Sequence, residues 1–162
     1  MESKIIIYTD GSAKGNPGPG GYGIVMKFGH HRKEMSQGYR FTTNNRMELL
    51  GVITGLESVK NKEHTVRIIS DSKYVIDSIT KKWVHSWVKK GFKDKKNKDL
   101  WLRYLAIEPT LKLEFVWVKG HAGNVENERC DVLAVRAAEG TQLEIDSEYE
   151  KSVLTEGGSI PF

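Results

Sequence analysis

The segment KIIIYTDG, residues 4–11, reads as a β-strand of three isoleucines and a tyrosine closed by an Asp-Gly pair. Residues 66–70 (VRIIS) form a second short strand of the buried type, followed at once by Asp71. Two further strands, residues 22–28 and 33–41, meet at a short turn at Gly29-His30, which predicts an antiparallel meander with the first. Behind the N-cap-rich run TTNN (residues 42–45), Leu49, Ile53 and Leu56 keep a helical period. A helical crossover from the meander sets residues 66–70 parallel to residues 5–9. Asp10 and Asp71 then share one carboxyl edge, where open α/β sheets bind ligands.

The remaining elements extend this frame. Residues 11–23 hold six glycines and two prolines and are expected to form a long turn. Gly51 and Gly55, inside the first helix, cost about 1 kcal/mol each relative to alanine, which implies close packing on one side. Ser70-Asp71-Ser72 caps a helix running to about residue 79. Residues 82–90 and 97–107 read as helices, 113–118 as a strand, 120–123 as a loop and 126–138 as a last helix. The prediction is an α/β fold with a five-stranded mixed sheet, antiparallel meander plus parallel strands, flanked by helices. Residues 1–140 form one domain. Residues 141–162 show no period, carry an excess of acids and are expected to be a mobile tail.

Composition narrows the class of protein. The chain has 162 residues, of which 38% are hydrophobic, so it can build its own core. It has no apolar run near the roughly 18–20 residues that span a bilayer, and its N-terminus lacks a secretory apolar stretch. Its single cysteine, Cys130, excludes an internal disulfide and a cysteine-based zinc site, and a reducing, cytoplasmic location is expected. The formal net charge is +4, unevenly spread. Residues 81–98 hold eight lysines against Asp94 alone, interleaved with Trp83, Trp87 and Phe92. Residues 139–162 hold six acids against Lys151. A basic segment on an otherwise acidic body points to a polyanionic partner gripped locally. Trp83 and Trp87, at i and i+4, fit an amphipathic core stripe equally well.

Four acids occupy informative places: Asp10 after the first strand, Glu48 early in the first long helix, Asp71 after the fourth strand and Asp131 on the last helix. Asp131 shares a helix face with Ala134 and Ala138, residues small enough to let that helix approach a sheet. Each acid alone has an ordinary reading as a turn residue, a helix N-terminal acid, a cap or a surface acid. Together they suggest gathered carboxylates, which repel unless a cation compensates them. Oxygen donors without cysteine suit Mg²⁺ or Mn²⁺.

The segments TDGSAKGNPGPGGYG (9–23), TTNNRMEL (42–49), SDSKYV (70–75) and WVKGHAGNVENERCD (117–131), in this order, resemble the motifs of bacterial-type type 1 ribonuclease H. The resemblance spans about residues 5–138 and implies the ribonuclease H-like fold. It implies hydrolysis of the RNA strand of an RNA–DNA hybrid by two metal ions, leaving 5′-phosphate and 3′-hydroxyl ends, with little sequence specificity. It implies catalytic and metal-binding roles for Asp10, Glu48, Asp71 and Asp131, and proton handling or product release for His121. The cofactor it implies is Mg²⁺, two ions per site with substrate, with Mn²⁺ able to substitute. Gly11, Asn16, Asn44 and Asn45 resemble readers of the minor groove and the 2′-hydroxyl, and Thr43 and Asn97 a pocket for a DNA phosphate. Trp83, Trp87, Lys89 and Lys90 resemble a basic protrusion, residues 81–98, that grips the DNA strand. The chain departs from that pattern in a shorter stretch 91–97 and one extra residue before Trp83. The expected assembly is a monomer.

Other classes fit less of the sequence. A strand-transfer or junction-cutting nuclease on a similar fold does not need Glu48 within TTNNRMEL. A non-catalytic hybrid-binding module needs the lysines but not four acids. An acidic metal protein unrelated to nucleic acid leaves the lysines unexplained.

Overall fold

In the computed structural model, which describes residues 3–120 and 123–162, the isoleucine run forms the central strand β1 (Lys4–Ala13). Ile5 and Ile7 alternate into the core and Thr9 follows them. β2 (Gly18–Phe28) pairs antiparallel with β1, and β3 (His31–Thr42) antiparallel with β2. β4 (Thr65–Ser70) lies parallel to β1, with Ile5 opposite Val66 and Ile7 opposite Ile68. β5 (Lys112–Trp117) continues in parallel beyond β4. The predicted mixed sheet is thus present, and the strand carrying Asp10 lies beside the strand that ends just before Asp71.

A sixth strand adds to the five predicted. β6 (Leu143–Glu144) pairs in parallel with Gly38 and Tyr39 of β3, giving the order β5-β4-β1-β2-β3-β6. It belongs to the segment expected to be a mobile tail. That segment continues into the helix Ser147–Thr155 (α6, numbered last in chain order), and it is fastened by buried Asp146 and Glu150. Glu150 takes both nitrogens of the Arg40 fork, at 2.9 and 2.7 Å. The tail lacks a hydrophobic period because ion pairs and hydrogen bonds dock it, rather than an apolar stripe.

The glycine-rich segment departs from its reading as a long turn. β1 runs to Ala13 and β2 starts at Gly18, so only residues 14–17 lie outside the two strands. The glycines serve close approach instead. A β-carbon on Gly23 would lie 2.2 Å from the Cys130 carbonyl oxygen, and one on Gly21 2.7 Å from that of Ala134. Both carbonyls belong to α5 (Val125–Glu139), which these bare backbones admit directly onto the sheet. On the other side, α1 (Asn44–Glu57) packs on β1 and β2 through Gly51 and Gly55, as expected from their cost inside a helix.

α2 (Lys73–Thr80), α3 (Trp83–Lys89) and α4 (Lys98–Ile107) complete the fold. Trp101 and Tyr104 of α4 are fully buried, and their rings meet edge to face. Among the described residues no helix is long and apolar enough to cross a membrane.

Candidate active site

Three elements bring three carboxylates together. Asp10 stands within β1, three residues short of its end, Glu48 is the fifth residue of α1, and Asp71 directly follows β4. Their nearest ligand atoms all lie within 4.8 Å of one another. Gly11 makes this possible. Its α-carbon lies so near α1 that a β-carbon would sit 2.3 Å from the Glu48 backbone nitrogen. Its N–H donates to Asp10 Oδ1 at 2.9 Å. Asn44 Nδ2 donates to Glu48 Oε1 at 3.2 Å, and Ser72, the N-cap of α2, also hydrogen-bonds Glu48.

Asp131, on α5, stays outside the 4.8 Å group, yet its charge is felt at Asp10. Burial, then the negative charge of Asp71, pushes the Asp10 carboxyl up to about 8, with smaller contributions from Asp131 and Glu48. Burial also pushes Glu48 up to about 7, against the hydrogen bonds from Ser72 and Asn44. Among the described residues, the leading influences on Asp10 and Glu48 are burial, neighbouring carboxylates and hydrogen bonds. Close, partly buried carboxylate oxygens fit a hard divalent cation.

His121 lies outside the described residues. Its neighbour Gly120 is placed against the cluster, since a β-carbon there would be 2.8 Å from Asp71 Oδ2. The Trp117 indole N–H donates to the Asp71 carbonyl oxygen at 3.0 Å, and Lys73 Nζ stands 4.8 Å from the centre of the Trp117 ring. Lys73 and Trp117 lie inside the segments SDSKYV (70–75) and WVKGHAGNVENERCD (117–131) without a role of their own in the sequence, and Ser72 was expected there only as a cap.

The expected substrate contacts fall into two groups. Asn16 Oδ1 accepts from the Asn44 N–H at 2.9 Å, so residues 28 positions apart meet at the start of α1. Thr43 caps α1 through its hydroxyl, 3.2 Å from the Arg46 N–H, and Asn45 is exposed in the first turn. Asn97 Nδ2 donates to the Tyr74 hydroxyl at 3.0 Å, and Asn97 Oδ1 faces Arg46 Nη1 at 3.4 Å. In the second group the two tryptophans differ. Trp83 is 44% exposed under Lys81, whereas Trp87 is half-buried with its ring against Trp101 and Lys95 Nζ 5.1 Å from its centre. Lys89 and Lys90 are exposed.

Fold and site together describe an α/β protein with an acidic cluster, able to hold a metal ion, at the carboxyl edge of a mixed sheet. The RNase H family model matches residues 2–139, and the chain belongs to the ribonuclease H family. It is 50% identical over 152 residues to a ribonuclease H of Rippkaea orientalis, covering 91% of this chain and 93% of that protein. It is 51% identical over 155 residues to one of Aeromonas hydrophila, covering 93% and 99%. Among solved structures, LC9-RNase H1, described as a type 1 RNase H with the type 2 active-site motif, superposes with a TM-score of 0.74 at 31% identity, over 94% of this chain and 82% of that one. LC11-RNase H1, solved in complex with an RNA/DNA hybrid, gives 0.60 at 27% identity, over 83% and 96%.

Proposed function

We propose that this ribonuclease H is an endonuclease that hydrolyses the RNA strand of RNA–DNA hybrids, leaving 5′-phosphate and 3′-hydroxyl ends with little sequence preference. The observation that carries the reading is the meeting of Asp10, Glu48 and Asp71 within 4.8 Å. Asp131 joins them as the fourth ligand residue. The group they hold is two Mg²⁺ ions, with Mn²⁺ competent, which when bound supply an activated water and stabilise the leaving 3′ oxygen. Asp10 and Glu48 must give up protons to take cations, so metal affinity rises with pH through the range of their raised values. His121 handles a proton or assists product release. The Gly11 backbone with Asn16, Asn44 and Asn45 reads the minor groove and the 2′-hydroxyl, and Thr43 and Asn97 hold a DNA phosphate. Trp83, Trp87, Lys89 and Lys90 grip the DNA strand. The protein acts as a cytoplasmic monomer.

Incubation with Mg²⁺ and end-labelled hybrid, duplex RNA or duplex DNA tests this directly. Only the RNA strand of the hybrid is expected to be cut. Binding without cleavage would make the chain a non-catalytic hybrid-binding module, and cleavage of duplex DNA would point to a different nuclease class.

Neutral replacements of Lys89, Lys90, Lys93, Lys95 and Lys96 are expected to weaken binding more than chemistry. Each lost phosphate contact should flatten the slope of log K against log salt by roughly 0.9, with turnover at saturating hybrid little changed. An unchanged slope would return these lysines to a solvated face.

A further inference from the structure

Arg46 is 3% exposed, and its guanidinium joins two carboxylates from distant parts of the chain. Its Nε and Nη2 donate to Asp146 at 2.8 and 2.9 Å. Its Nη1 and Nη2 donate to Asp99 at 2.9 and 2.7 Å. Asp146, 8% exposed, accepts a third bond from the Thr42 hydroxyl at 2.7 Å. The C-terminal segment, the end of β3, the first turn of α1 and the first turn of α4 are therefore fastened at one guanidinium. Two planar, bidentate pairs fix orientation as well as distance.

Asn97 stands at the far end of this clamp. Its φ of +66° lies in the left-handed region, which asparagine adopts more readily than most residues with a side chain. Three contacts hold it: Arg46 Nη1, the Tyr74 hydroxyl, and the Trp101 backbone N–H, which donates to the Asn97 carbonyl at 3.0 Å. The Tyr74 hydroxyl also accepts from Trp101 Nε1 at 2.9 Å, and the Trp101 ring contacts Trp87. The clamp thus runs from the C-terminal segment to residues assigned above to the hybrid.

We propose that Asp146 is a positioning residue for hybrid binding, acting through Arg46 to fix Asn97 and the start of α4. The C-terminal segment, beyond the residues 2–139 matched by the family model, then sets the strength of the DNA-strand contact. The inference rests on the reading of Asn97 as a hybrid contact. Glu150 supplies the control, because it docks the same segment through Arg40 and not through Arg46.

The experiment is steady-state cleavage of hybrid at saturating Mg²⁺, at a temperature where circular dichroism shows each variant folded. Asp146→Asn is expected to raise KM about tenfold with kcat within about twofold, the pattern of lost ground-state binding. Asp99→Asn breaks the clamp from the α4 side and should match it, which keeps the test alive if Asp146→Asn does not fold. Glu150→Gln should lower the melting temperature and leave KM unchanged. Combined with Asn97→Ala, Asp146→Asn should add nothing to the KM rise that Asn97→Ala causes alone. An unchanged KM in Asp146→Asn or Asp99→Asn, an equal rise in Glu150→Gln, or additivity with Asn97→Ala would overturn the proposal. A silent Asn97→Ala would instead remove Asn97 from the hybrid contacts, and the proposed route with it.

Discussion

Replacing Asp10 by asparagine is expected to lower kcat on hybrid by at least ~10³-fold, while hybrid affinity stays within about threefold. The substitution keeps shape and removes one charge from the most buried member of the cluster. The grip on the hybrid is assigned to other residues, so binding should survive. The same variant should be more stable than the parent without metal. In the unfolded chain an aspartate titrates near 3.9, whereas in the fold Asp10 is pushed up to about 8, by burial first and then by Asp71. Between those values the folded chain retains a proton that the unfolded chain has released, so stability falls as pH rises across that window. Asparagine has no such loss. In chelator at pH 8 the melting temperature should therefore rise, by about 5 °C if one to two kcal/mol of strain is relieved, and much less at pH 4. Substantial cleavage by the variant would sink the assignment of Asp10 as a metal ligand. A lower midpoint at pH 8 would count against close clustering.

Much of this site could be read from local sequence because its parts are local. The strand before Asp71 ends where its composition predicts, whereas β1 continues three residues past Asp10 to Ala13, because Asp10 to Ala13 keep pairing with β2; the parallel pairing of Ile5 with Val66 still sets Asp10 beside Asp71. Thr43 and Ser72 cap helices as their residue types predict. The failures have a different origin. Gly21 and Gly23 look the same in sequence whether they allow a turn or admit a helix, and only α5 pressing its carbonyls onto them decides between the two. The docked C-terminal segment was equally hidden. Arg46 meets Asp99 and Asp146 across 53 and 100 positions of sequence, and isolated ionic partners leave no periodic trace. Trp83 and Trp87, one helical turn apart in sequence, also differ in the structure, one exposed and one against Trp101.

His121→Ala is expected to slow turnover by roughly the 10²–10⁴ typical of lost general acid–base help, or less where product release is the affected step. Asp10, Glu48 and Asp71 already offer hard oxygen donors within 4.8 Å, which Mg²⁺ prefers to imidazole, so metal affinity should be nearly intact in the variant. The residue before it, Gly120, packs against the Asp71 carboxyl, which brings the chain to the rim of the cluster. An imidazole in this part of the sequence supplies the one side chain that ordinarily changes charge near neutral pH. The loss should therefore fall on kcat rather than KM, because the contacts proposed for the hybrid lie on other residues. It should also remove from the pH profile of kcat the limb that an imidazole contributes, leaving the limb set by the carboxylates. A calorimetric Mg²⁺ titration beside steady-state kinetics across pH decides the matter. Lost metal binding would make His121 a ligand, and unchanged turnover would leave it an ordinary loop histidine.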